Sequence, residues 1–586
     1  MCKIRLFLSV SLLGLTALSI SGCSSLQDAQ TARLHGPQPA GPSAMVDAAP
    51  VSTYGLFLAG HEAVNNGDGE RASDYYIRAA KQQPEVLFLK DRAFMAALMA
   101  GDVPKAASLA PGADQGSVSD QQMGRLTLAA EDLAESRSRE AEMALSGPFS
   151  PPHRAAGLLM EPWAAAAAGD WKAALTLPDA KGDRLIGELS RLNQALLFER
   201  AKRYDQAESS FSRLLADGDG SGLITAAYID YLERRGRRAD AISLCDAALK
   251  GDPSNRSLRQ LRDQAASTAA PPPMLSLNEG AAQALLAPAA IFLAEKQPEL
   301  GLNYLQLILR LDPGRDEAWM LVGDTKVAES DTQGARDAYR HVQPSSADYV
   351  DARGRLIQTY DQPTDAARVL DLAEETVKLA PNDDEALALL ADALRGAERY
   401  DESAKVMDTL MAHLGAQAGW EAYYMRGIAL DRSGHWPEAE RDFRKALALK
   451  PDESEVLNYL GYSWIDRGEK LEEAKSMVEK AVSAKPDSGA MVDSLGWAYY
   501  RLGDFNQAVE QLERAAELEP ADPDINDHLG DAYWRAGRQI EARFQWERVL
   551  SLDPTPKLRA EDETKLKNGL TGDGKPALPP PAVASR

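Results

Sequence analysis

Prolines recur at Pro451, Pro486, Pro520 and Pro554, spaced 35, 34 and 34 residues apart, and the residues between them recur as well. Each period carries a glycine (Gly427, Gly461, Gly496, Gly530) and a second glycine seven residues later (Gly434, Gly468, Gly503, Gly537). Then come Ala439, Ala474, Ala508 and Ala542, a bulky residue four on (Phe443, Val478, Leu512, Trp546), and Ala446, Ala481, Ala515 and Val549. The pattern predicts one pair of antiparallel helices per period. Small residues at the first glycine and the alanines let the two helices approach closely. The second glycine suits the left-handed position that closes the first helix. The bulky residues are expected to fill the gap between neighbouring units. Proline ends the second helix, because it lacks an N–H and restricts the residue before it.

A period of 34 with these residue types resembles the tetratricopeptide repeat, which implies an all-α superhelical solenoid. The chain has 586 residues, too many for one compact core, but a solenoid escapes that limit because each unit touches only its neighbours. Weaker copies start at Thr53. Their glycine-to-alanine spacing is kept at Gly67–Ala72, Gly101–Ala106, Gly169–Ala174 and Gly236–Ala241, and Pro84 and Pro253 close two of them. Glu131–Leu145 and Gln194–Leu215 fit the frame with poorer glycines. The run Ser267–Pro273 breaks the rhythm, since three consecutive prolines cannot lie inside a helix. It reads equally as a hinge between two arms or as an inert insertion. The expected organisation is about 14 helical hairpins in two arrays: a degenerate array over 53–264, a Pro-rich hinge over 265–280, and a second array over 281–554. A capping helix (Leu558–Leu570) and a disordered tail complete 555–586.

The start of the chain reads as targeting rather than fold. Lys3 and Arg5 precede an apolar run from Leu6 to Ile20, which ends in Ile20-Ser21-Gly22-Cys23. This is a bacterial lipobox, so 1–22 is expected to be a lipoprotein signal peptide and Cys23 the lipidated residue. Several buried acyl chains make a stable anchor, since each CH₂ contributes about 0.8 kcal/mol. Ser24 follows Cys23, as in lipoproteins that the pattern resembles and that are sorted to the outer membrane. Residues 23–52 are rich in Ala, Pro, Gly, Gln and Ser and are expected to form a disordered tether reaching roughly 30 Å. Of the remaining cysteines, Cys2 goes with the signal, so Cys245 has no internal partner. It reads as a small buried hydrophobe. A net charge of −23 disfavours nonspecific binding to nucleic acid or anionic lipid.

Catalytic constellations do not emerge. His61-Glu62 begins like a zinc peptidase helix, but Asn65 stands where the second histidine is needed. Asp217-Gly-Asp219-Gly-Ser221 starts like a calcium loop, yet Tyr228 holds the twelfth position, which needs a glutamate. The chain is therefore expected to be non-enzymatic, with no metal and no cofactor. Its surface is the remaining resource. First helices should present Tyr424, Asp431 and Arg432; then Asn458, Tyr462 and Asp466; then Asp493, Trp497, Tyr500 and Arg501; and last Asp527, Asp531, Trp534 and Arg535. Tyr, Trp and Arg are the types that anchor protein interfaces. Trp497, Tyr500 and Trp534 stand equally as exposed anchors or as packing between units, whereas Tyr499, Tyr533 and Trp464 are expected in the core. The carboxylates of Asp493 and Asp527 disfavour capture of a partner's C-terminal carboxylate.

Three segments carry a closer likeness: Leu457–Ala474, with its extra turn residue, Asp493–Gly503 and Asp527–Arg535. Together with the lipobox and the overall length, they resemble the large proteobacterial tetratricopeptide lipoproteins that partner periplasmic carboxyl-terminal processing proteases. In that family the helical spiral binds and supports the protease and presents substrates such as cell-wall crosslink hydrolases. The resemblance implies a lipid-anchored scaffold facing the periplasm from the outer membrane, with protein partners and no nucleic acid. It covers Trp420–Pro554; the N-terminal half matches in architecture only. A scaffold for outer-membrane assembly or polysaccharide export is the alternative.

Overall fold

A computed structural model describes residues 52–112, 115–216, 222–253 and 255–570. The expected signal peptide, Cys23, nearly all of the expected tether, most of the expected tail and residues 217–221 lie outside them. The described residues form thirty α-helices, and their packing divides them into two units, one ending at Asp365 and one beginning at Ala366.

The repeat chemistry is realised as the residue types dictate. Gly434, Gly468, Gly503 and Gly537 have φ of 87°, 72°, 86° and 83°, the left-handed conformation that costs other L-residues about 1–2 kcal/mol. The poorer copies adopt it without glycine, at Ser136 (φ 61°) and Lys202 (φ 59°). The first glycine of each period makes room for the bulky residue of its own hairpin. A Cβ at Gly427 would lie 2.7 Å from Phe443, at Gly461 2.8 Å from Val478, at Gly496 2.5 Å from Leu512 and at Gly530 2.5 Å from Trp546. So the bulky residues seat within the hairpin as well as between units; Phe443 does both, with its ring 5.0 Å from that of Tyr459 in the next repeat.

In the first unit, α1 (Thr53–Asn65) pairs with α2 (Gly69–Gln82), α3 (Leu87–Met99) with α4 (Val103–Leu109), and α5 (Val118–Ala134) with α6 (Ser138–Leu145). They are followed by α7 (Arg154–Ala168) with α8 (Trp171–Ala174), α9 (Arg184–Arg200) with α10 (Tyr204–Ala216), and α11 (Gly222–Arg234) with α12 (Arg238–Leu249). Aspartates cap several of these helices; Asp68 Oδ1 accepts from the Arg71 amide at 3.0 Å. After α13 (Arg256–Ala266) come α14 (Leu277–Ala294) with α15 (Pro298–Leu311), α16 (Asp316–Ala328) with α17 (Thr332–Arg340), and α18 (Tyr349–Gln358).

The α14–α15 hairpin packs against α7, α5 and α3 rather than only on its sequence neighbours. One hydrophobic core therefore runs from Phe94 through Trp163 and Phe211 to Leu285 and Ile308. The segment 265–280 lies inside this unit, and the division between units falls within α19 (Gln362–Leu379). Helix α14 is apolar and long enough to cross a membrane by composition, and here that apolar surface is spent on the core. Cys245 is fully buried, and burial pushes its thiol up to about 11, as befits a packing residue.

The second unit continues with α20 (Asp384–Gly396) and α21 (Tyr400–Leu414), α22 (Trp420–Arg432) and α23 (Trp436–Leu449), and α24 (Ser454–Arg467) and α25 (Leu471–Ala484). Then come α26 (Gly489–Leu502) with α27 (Phe505–Leu518), α28 (Pro523–Arg535) with α29 (Gln539–Ser551), and α30 (Pro556–Asn568), which packs on α29. Trp464 and Trp546 are fully buried here, and Tyr533 is also in the core at 7% exposure.

Candidate partner-binding face

Among the first helices α22, α24, α26 and α28, α24 packs on α26 and α26 on α28, and α22 meets α24 through Tyr424 and Tyr459. Side chains on these helices meet from one repeat to the next. On α22 Tyr424 is half-buried, edge-on to Tyr459 with ring centroids 6.1 Å apart. Burial and then Glu455 raise its hydroxyl above the usual tyrosine range. Arg432 is exposed, donates to the Tyr400 hydroxyl at 3.1 Å and lies over that ring. Asp431 is tied inward: it accepts from Tyr459 at 3.2 Å and pairs with Arg467 at 2.5 Å.

The middle of the face is rich in acceptors. Tyr462 is half-buried; burial first, then Asp493, Asp466, Asp524 and Asp527, raise its hydroxyl. The buried Asn458 Oδ1 has no hydrogen-bond partner. Asp493, at 7% exposure, is buried rather than open and faces His528, whose Nδ1 lies 2.9 and 3.0 Å from the two carboxylate oxygens. Trp497 is half-buried between two stacked rings, Tyr500 at 4.5 Å and His528 at 4.1 Å. Arg501 donates through Nη1 to the Asp466 carbonyl at 2.8 Å.

Between the two alternatives for the aromatics, the structure distributes them. Trp497 and Trp534 keep partial exposure, while Tyr500 is buried under Trp497 and Phe505. Its neighbour Tyr499 is half-buried against two cores. The last repeat is closed by the chain itself. Lys565 of α30 pairs with Asp527, with Asp531 at 2.9 Å and with Asp562 at 3.5 Å. Asp531 also accepts from the Trp546 indole at 3.0 Å. Trp534 packs against Gly569, where a Cβ would lie 2.1 Å from the indole, and Arg535 lies over Phe505 at 4.5 Å. Burial disfavours the Lys565 charge, but Asp527 and Asp531 outweigh it and raise the ammonium above its ordinary range.

His528 and Lys565 were not singled out from sequence. His528 follows Asp527 on the same helix and reaches back one repeat, a relation the 34-residue period does hold. Nothing in the sequence pairs Lys565 with two aspartates about one period upstream.

On these helices Tyr462, Trp497 and Trp534 are partly exposed and Arg432 is exposed, while Asp493, Asp527 and Asp531 are buried. The exposed groups can hold apolar side chains and hydrogen-bonding backbone of another polypeptide. Among the described residues no group of three or more His, Cys, Asp and Glu is placed to hold a metal ion.

A family model described as tetratricopeptide repeat matches residues 275–552, and a second one with the same description matches 192–256. No curated protein matches the chain. Among solved structures, the Cut9–Hcn1 hetero-tetramer of the APC/C is similar at 16% identity over 89% of this chain and 90% of that one, with a TM-score of 0.33. A tetratricopeptide-repeat protein from Parabacteroides merdae is 14% identical over 43% of this chain and 97% of its own, with a TM-score of 0.37. A thermophilic one from Thermus thermophilus is 23% identical over 32% of this chain and 100% of its own, with a TM-score of 0.29. Superpositions this loose carry no argument about partners. The two family matches, the left-handed glycine turns and the glycine-to-bulky-residue seating agree: residues 192–256 and 275–552 are tetratricopeptide repeats, and the fold is an all-α tetratricopeptide-repeat array.

Proposed function

We propose that this chain is a non-enzymatic scaffold that receives protein partners on the first-helix face of α22 to α28. The observation that carries the reading is that Tyr462, Trp497 and Trp534 keep partial exposure on three successive first helices, the aromatic types that dominate protein interfaces. We further propose that lipid on Cys23 anchors it to the outer membrane, facing the periplasm. The partner class is a periplasmic carboxyl-terminal processing protease together with its cell-wall hydrolase substrates, on the strength of the likeness over Leu457–Ala474, Asp493–Gly503 and Asp527–Arg535.

Affinity capture from detergent-solubilised envelope after crosslinking tests the partner. Recovery of such a protease supports the assignment, and its absence under efficient crosslinking sinks it. Labelled fatty acid tests the anchor: Cys23→Ala abolishes incorporation if Cys23 carries the lipid, and a labelled mutant refutes it.

A further inference from the structure

The proline-bearing stretch after α13 stays on the first unit. Arg238, at the start of α12, donates to the Ser267 and Ala269 carbonyls. Arg234, at the end of α11, reaches the Pro273 carbonyl at 3.4 Å, and Arg200, at the end of α9, donates to the Leu275 carbonyl. Arg234 is itself fixed by Glu199 through two 2.8 Å bonds. Proline suits such a strand: it brings no N–H to satisfy, keeps its carbonyl for a donor and is extended before it binds. The arginines thus read the backbone, as a groove reads an extended peptide.

The chain then turns into α14 through a reciprocal cap between Ser276 and Glu279. Gly280 lets α14 sit on the α7 indole; a Cβ there would lie 2.1 Å from Trp163. The Tyr304 hydroxyl meets His153 Nδ1 at 2.7 Å, and Arg310 pairs with Glu131 at 2.8 Å and Glu135 at 2.6 Å on α5 and its end. From Ser267 to Leu311 the chain therefore visits α12, α11, α9, α7, α5 and α3 in reverse order.

We propose that residues 267–311 are a resident ligand in cis: an extended strap read by Arg200, Arg234 and Arg238, followed by a helical hairpin, occupies the contacted surfaces of α12, α11, α9, α7, α5 and α3 and so keeps outside polypeptides off them. This rests on the scaffold reading and assigns its docking surface away from those helices. The burial favours permanence over exchange, since Tyr304, Leu305, Leu307 and Ile308 of α15 are fully buried.

Hydrogen exchange on the full-length chain tests it. Amides of 277–311 are expected to exchange in the same slow class as those of α5 and α7, and elastase is expected to spare Ala269 in the folded chain. Arg238→Ala should speed cleavage at Ala269 about tenfold while leaving 277–311 slow. Gly280→Val should raise exchange in 277–311 and in α7 together. Exchange of 277–311 about tenfold faster than α5 and α7 in the unaltered chain overturns the proposal, as does cleavage at Ala269 that Arg238→Ala leaves unchanged. The wild-type measurement decides even if Gly280→Val fails to fold. Slow exchange with no partner captured defeats the scaffold reading alone; fast exchange defeats only the resident ligand.

Discussion

His528 Nδ1 lies 2.9 Å from Asp493 Oδ1 across two successive repeats, and the imidazole is stacked at 4.1 Å on Trp497. Burial by itself would lower this histidine. Asp493, with Asp527 and Asp531, overrides burial and holds it up at about 9. The folded state therefore binds a proton that the unfolded chain releases near pH 6.5. The stabilisation is fully present below about pH 6.5 and is lost as pH rises through about 9, an effect of about 3 kcal/mol. Hydrogen exchange of α26 and α28 should show opening become easier across that window, and His528→Gln should flatten the dependence.

His153 behaves in the opposite sense. It is fully buried between Ser119 Oγ at 2.9 Å and the Tyr304 hydroxyl at 2.7 Å. Burial, only partly offset by Asp120, lowers it to about 4. Stability is thus full above about pH 6.5 and falls as pH drops toward 4, by up to about 3 kcal/mol. Exchange in α5, α7 and α15 should accelerate together on acidification, and His153→Gln should remove most of the slope.

Lys565 is the cation at the centre of Asp527, Asp531 and Asp562, and its side chain is 5% exposed. Lys565→Met leaves three buried carboxyl groups facing one another. Breaking a buried ion pair from one side costs about 3–5 kcal/mol, so α30 should undock and expose Trp534. A red shift and quenching of tryptophan emission would report it, and acid should partly reverse it by protonating the carboxylates.

Gly496 and Gly187 make a matched pair. A Cβ at Gly496 would lie 2.5 Å from Leu512, so Gly496→Ala overpacks the hairpin and should cost about 1–3 kcal/mol. At Gly187, inside α9, the nearest atom is 3.8 Å away. Gly187→Ala should therefore stabilise by up to about 1 kcal/mol through helix propensity. Denaturant midpoints of the two variants should move in opposite directions.

The hairpin units were legible because their packing is local. Gly427 and Phe443, or Gly530 and Trp546, meet within one period, so spacing alone reports the contact. The Ser136 and Lys202 turns were fainter, because a left-handed residue need not be glycine when the flanking helices pack well. The role of the proline run was not legible. Arg200 and Arg234 stand one period apart, but the carbonyls they reach lie 75 and 39 residues downstream, and Arg310 finds Glu131 across 179 residues. Residue type picks out the aromatics of the second unit's first helices, but which of Tyr499 and Tyr500 is buried depends on the stack that Trp497 and His528 complete. Asp493 looked like an open recognition group because nothing local announces that a histidine one repeat later will claim it.

Photocrosslinking in intact cells is the most direct test of the scaffold face. Benzoylphenylalanine placed at Arg432, Tyr462 or Arg501 should yield a covalent adduct with another polypeptide, whereas the same group at Arg444, on the second-helix side of the same unit, should not. Adducts at Arg444 with none at the three face positions would contradict the assignment of partner binding to α22, α24 and α26.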